Sequence, residues 1–145
     1  MARIISTGET PAKVRNAHMR SCAEVLRLLA QRASFGAEEM DMVAFLVFSL
    51  RGIYQTIEDS AGAWDERDYW KKAEELRARW SWSRRAADEL ERIVREERWS
   101  DVPATLVALV PHFNDVTVVS ITRDSDWWCG ALRALLREQS HVRPR

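Results

Sequence analysis

The chain has 145 residues, of which 46% are apolar and 30% charged, so it is too apolar for a disordered chain and long enough to bury a core without staples. Twenty-two basic and 22 acidic side chains give a formal net charge of +0, which argues against a polyanion gripped by the whole surface. The longest apolar run, residues 42–48, is far shorter than the roughly 20 residues of a membrane span.

Residues 1–9 read as an N-terminal arm without the apolar stretch of a signal peptide, so a cytoplasmic compartment is expected. Cys22 and Cys129 lie outside any CxxC and are expected to be reduced. Thr10-Pro11 opens the first helix, with Thr10 as N-cap. Val14, His18, Cys22, Val25 and Leu29 form its apolar face, and Gly36 marks its end. The second helix runs from about residue 37 to about 59, with Glu38, Glu39 and Asp41 complementing its dipole. Met40, Val43, Val47, Leu50, Tyr54, Ile57 and Ala61 recur at steps of 3 and 4, with Phe45, Leu46, Phe48 and Ile53 between them. A helix apolar almost all round belongs at the centre of the fold. Gly52 costs it about 1 kcal/mol relative to alanine. That points to close approach of a neighbouring helix or a large ring, or to a backbone opening for a ligand.

Ala61-Gly62-Ala63 reads as a turn and Asp65 as the N-cap of a long third helix, 65–99. No Gly or Pro occurs from Ala63 to Val102. Within that run Tyr69, Ala73, Leu76, Trp80, Ser83, Ala87, Leu90 and Val94 alternate 4 and 3, the seam of a packed helix. Its exposed faces carry Asp68–Lys72, Glu75–Arg79, Asp88–Arg92 and Glu91–Arg95 at i,i+4. Ser81-Trp82-Ser83 is the weak point, where a break into two shorter helices is conceivable. Ser100-Asp101 caps a short helix that Pro111 ends. The β-branched residues 116–121 suit a strand, but the only other strand-like piece is residues 3–6 and a lone two-stranded ribbon is marginal, so a short helix or extended link is expected. Asp124-Ser125 caps the last helix, with Trp128, Leu132 and Leu135 facing in, and residues 141–145 form a basic tail. The whole predicts a single all-α domain, an up-down bundle of four main helices plus one or two short ones.

Motifs of chemistry are sparse. The histidines are His18, His112 and His141, and Glu138-x-x-His141 is a lone copy of a motif that di-iron bundles use twice. There is no HExxH, G-x-S-x-G or phosphate loop. The EExxE pattern of MazG-type pyrophosphohydrolases is not met, because Met42 follows Glu38-Glu39 where the third acid belongs. No catalytic residue, metal or cofactor is expected.

Seven tryptophans are the anomaly. At 100° per residue Trp80 falls in the seam, Trp64 and Trp82 on one flank, and Trp70 and Trp99 on the other. Trp127 and Trp128 are adjacent and cannot both face inward from one helix. The leading expectation is a helical interaction protein, a homodimer or a docking module for a protein partner, using Trp64, Trp70, Trp82 and Trp99. One alternative is a small-molecule binder or an enzyme, with an aromatic-lined pocket between helices two and three near Gly52. Another is a nucleic-acid accessory role for Arg77, Arg79, Arg84 and Arg85, interleaved with Trp80 and Trp82. The ten acids that balance ten bases over residues 64–99 disfavour it.

Overall fold

The computed structural model describes residues 9–142, and these are helical or irregular, with no strand. Residues 1–8 of the expected arm and 143–145 of the expected tail lie outside the described residues. The fold is an all-α helical bundle, as the periodicity predicts.

Helix α1 spans Pro11–Ala30; the Thr10 hydroxyl accepts from the Lys13 amide at 3.2 Å. It stops earlier than expected, with Gln31 as C-cap. Gly36 belongs to the next element instead. It is the N-cap of α2, Ala37–Glu66, and its amide donates to Glu39 Oε1 at 2.7 Å, one half of a capping box.

The expected turn at Ala61-Gly62-Ala63 is not formed, and Asp65 is not an N-cap. Helix α2 runs through both for 30 residues, about 45 Å. Ala61 is fully buried in a small cluster with Ile57, Ala73 and Leu76, so the helix continues because that face has something to pack on. The chain reverses at Asp68, whose φ is 64°. There the Tyr69 amide donates to Trp64 O at 2.9 Å and the Asp68 amide to Asp65 O at 3.0 Å, the paired bonds of a Schellman stop.

Helix α3 is therefore Trp70–Arg95, shorter at both ends than 65–99, and α2 is the longest helix. It is unbroken through residues 81–83, where Ser81 and Ser83 return their hydroxyls to the carbonyls of Ala78 and Trp80. Six of the eight seam positions are buried, Ala73, Leu76, Ser83, Ala87, Leu90 and Val94; Trp80 is half-buried, and Tyr69 lies outside the helix and is exposed. A second Schellman stop ends α3, with Glu97 at φ 55° and the Arg98 amide on Ile93 O at 2.9 Å. Of the four expected i,i+4 ion pairs only Glu91–Arg95 closes; Arg92 turns to Glu89 at 3.7 Å.

Gly62 has open space where a Cβ would stand, and Glu97 holds a conformation suited to glycine. Gly62→Ala is expected to gain about 0.5–1 kcal/mol and Glu97→Gly about 1 kcal/mol. The double variant should raise the urea midpoint by nearly the sum of the two single shifts.

Helix α2 is the centre of the bundle, packed by α1, α3 and the C-terminal helices. Met42, Val43, Leu46, Val47, Leu50 and Ile53 are fully buried. After a 3-10 turn at Trp99–Asp101 comes α4, Val102–Leu109, followed by another 3-10 turn at Val110–Phe113 around Pro111. Residues 114–124 form no helix, so 116–121 are an extended link. The expected last helix is two: α5, Ser125–Trp128, and α6, Ala131–Arg137. They are split by Gly130 at φ 82°. Asp41 caps α6, accepting from the amides of Leu132 at 2.9 Å and Gly130 at 3.3 Å.

Candidate interaction surface

Gly52 makes the close approach that its place in a central helix predicts. The ring that it accommodates is His18 from α1: a Cβ at Gly52 would stand 2.6 Å from His18 Cε1. Burial first, and then the Arg123 guanidinium, push the His18 pKa below its ordinary value. Four residues on, Cys22 is fully buried, and burial raises its thiol far out of the reactive range although a hydrogen bond with Ser49 opposes the shift. Neither Cys22 nor Cys129 is in a disulfide.

The tryptophans do not form two flanks of one helix. Trp64 sits in α2 and Trp99 in the turn after α3. Trp82 is sandwiched by its own chain, stacked on His112 with ring centroids 4.1 Å apart and planes at 6°, with Phe113 edge-on at 5.6 Å. Trp99 packs on Phe35 at 5.6 Å, and Trp64 on the small cluster at the end of α2. Trp127 and Trp128 split their duties as adjacency requires. Trp128 is buried with its indole N–H on Glu38, while Trp127 lies half-buried between Phe45 and the Arg123 guanidinium. Trp70 alone is largely exposed, at 68%, beside Tyr69 on the tip of the α2–α3 hairpin.

Three of the four arginines named on α3, all but the exposed Arg79, are engaged too. Arg77 donates to Glu58, Asp65 and Glu74 at 2.7–2.9 Å, and these bonds raise its pKa. Arg84 lies over the Tyr54 ring at 5.9 Å, and Arg85 donates to Ser81 Oγ at 2.8 Å. A guanidinium shared by three carboxylates is poorly disposed to grip a phosphate chain.

The apolar surface lies elsewhere, where α4 crosses the C-terminal half of α1. Helix α4 is an eight-residue segment, VPATLVAL, with no charged side chain, yet only Val102 and Leu109 are buried. A helix apolar on all sides is normally covered on all sides. Here Val107 is 71% exposed and Val110, just beyond the helix, 51%. Between α4 and α1 runs a groove of about 290 Å³ lined by Leu26, Leu29, Phe35, Pro103, Leu106 and Val110, among others. It continues past Val110 into a shallower cleft floored by Ala23 and Phe113 and edged by Val116 and Val118. Composition carries a signal for this face: residues 102–111 contain no charge in a chain that is 30% charged.

Two fully buried carboxylates tie the irregular segments to the long helices. Glu24 on α1 accepts from Arg20 Nε at 2.5 Å, the Thr122 amide at 2.6 Å, its hydroxyl at 2.7 Å and the Arg123 amide at 2.8 Å. Glu91 on α3 accepts from Arg51 at 2.6 Å, Arg95 at 2.7 Å and the His141 amide at 3.1 Å. The first fixes the extended link on α1 and the second fixes the C-terminal segment on α2 and α3. No group of three or more metal-ligating side chains occurs among the described residues, and no helix there is long and apolar enough to cross a membrane. No protein-family model matches the chain, and neither a curated protein nor a solved structure matches it.

Proposed function

We propose that the protein is a helical interaction module that self-associates through the apolar face of α1 and α4. The observation that carries this reading is the charge-free helix α4 with its outer side uncovered. A second copy is the favoured occupant for two reasons. A two-fold contact sets one patch against itself, and the groove between α1 and α4, whose lining carries no charge, does so without repulsion. A net charge of +0 adds no long-range barrier between copies. The absence of disulfides at Cys22 and Cys129 fits a reducing, cytoplasmic setting for this assembly.

Sedimentation and light scattering at about 100 μM should report a dimer with a micromolar or tighter Kd. Val107→Asp should weaken association by about 2 kcal/mol or more, roughly 30-fold, with helix content unchanged. Trp70→Ala, at the distant hairpin tip, should leave the dimer intact. A strict monomer at that concentration, or a dimer insensitive to Val107→Asp and dissolved by Trp70→Ala, overturns the assignment.

A further inference from the structure

Nine arginines are partly buried among the described residues, and eight of them have a carboxylate oxygen within 3.8 Å. The exception is Arg15 on α1. Its Nε donates to Thr56 Oγ1 at 3.0 Å and its Nη2 to Ser60 Oγ at 3.3 Å, both on α2. Its guanidinium carbon lies 5.4 Å from the centroid of the Trp80 ring. Every one of these contacts is to a neutral group, and Nη1 donates to nothing among the described residues. One turn further along α1, the His18 ring on Gly52 has no hydrogen-bond partner among the described residues either.

A partly desolvated cation that meets only hydroxyls and an indole among the described residues is an incomplete arrangement. Two hydroxyl acceptors need a donor but not a charge. A neutral amide would serve them without the cost of removing a guanidinium from water. What arginine adds is a rigid fork suited to two parallel bonds with a carboxylate or phosphate, bonds about twice as strong as neutral ones. Thr56 is fixed as an acceptor because its own proton goes to Ile53 O at 2.6 Å, which sets the plane of the fork.

We propose that Arg15 anchors an oxyanion site on the α1–α2–α3 seam. The site takes a small carboxylate or phosphate group on Nη1 and Nη2, with the Ser60 hydroxyl as a further donor and Trp80 beneath. It is separate from the α4 face and does not depend on it.

The test titrates the 145-residue chain with sodium acetate and with sodium phosphate, each against sodium chloride at fixed ionic strength. Thermal midpoint and tryptophan emission are the readouts. A saturable rise in midpoint with an emission change is expected for one or both oxyanions and not for chloride. A response to acetate alone assigns a carboxylate, and a stronger response to phosphate assigns a phosphate. Arg15→Gln should lose at least tenfold in apparent affinity, and Arg15→Lys, which keeps the charge without the fork, should lose less. Lys13→Gln, on the exposed side of the same helix, should change nothing. A wild-type response no greater than that of chloride, or an equal response in Arg15→Gln judged folded by circular dichroism, overturns the site.

Discussion

Replacing Glu24 with glutamine is expected to destabilise the fold by about 3–5 kcal/mol, the usual result of breaking a buried charge pair from one side. Glu24 is fully buried, and both of its oxygens accept. An amide would turn one acceptor into a donor facing donors, so glutamine gives no relief over alanine. Burial by itself would raise the Glu24 pKa. The bonds from Arg20, Thr122 and Arg123 outweigh it and hold the pKa down, at about 2 against an ordinary 4.5. A carboxylate with a depressed folded pKa stabilises above the unfolded value and loses that contribution as pH falls through the folded one. Native stability should therefore drop by roughly 3 kcal/mol between about pH 5 and pH 2 on account of this group. Urea titrations followed by tryptophan emission at pH 7, 5, 4 and 3 would show it. Glu24→Gln should be weaker at pH 7 and should converge on the wild type as the pH falls. Parallel acid profiles for the two proteins would show that Glu24 is not the group responsible.

Glu91→Ala is expected to cost a similar amount, about 3–5 kcal/mol, by a different distribution of damage. Glu91 is fully buried on α3, between Arg51 of α2 and Arg95 one turn on. Burial would raise its pKa; the bonds from Arg95, from Arg51 and from the His141 amide lower it. Arg51 keeps Glu138 at 2.9 Å after the loss, and Arg95 keeps the carbonyls of Leu135 and Glu138 at 3.0 and 3.1 Å. The amide of His141 loses its acceptor, and two guanidiniums are left facing each other across an empty space. The C-terminal segment should then come loose before the bundle does. Limited proteolysis should cut after Arg137 in Glu91→Ala at denaturant concentrations where wild type is intact. Arg51→Met with Glu91→Leu should recover most of the stability, because an apolar pair replaces the whole ionic cluster rather than one side of it.

The class of fold and the central place of α2 are legible in the sequence because apolar period and burial are the same physics. The seam of α3 is legible for the same reason, down to Ser83 among its apolar neighbours. The helix ends are not. Glycine is the usual stop, and here Gly62 lies inside a helix while the two stops fall on Asp68 and Glu97. What holds those stops is the pair of Schellman bonds at each end, which no composition rule encodes. The aromatic flanks failed because they assumed one helix from 65 to 99. Once α3 begins at Trp70, Trp64 and Trp99 lie on other elements. Glu91 reads as one half of a solvated i,i+4 pair, and only the arrival of Arg51 from another helix reveals it as buried. Glu24 gives a fainter hint, an acid beside the apolar face of α1 with Arg20 four residues before it. The uncovered face of α4 was legible as a charge-free run in a highly charged chain, but its exposure depends on which elements cover it.

The extended link between α4 and α5 has an unusual kind of order. Its carbonyls are held from the side: Thr117 and Ser120 by Arg20 at 3.0 and 2.6 Å, and Val118 by Arg27 at 3.0 Å. Its amides from Thr117 to Ile121 donate to nothing among the described residues, whereas those of Thr122 and Arg123 close on Glu24. Hydrogen exchange follows the amide proton and is blind to the carbonyl. Five consecutive residues should therefore exchange as fast as open chain while three arginine bonds keep their backbone in place, and the boundary between fast and protected amides should fall sharply at Thr122.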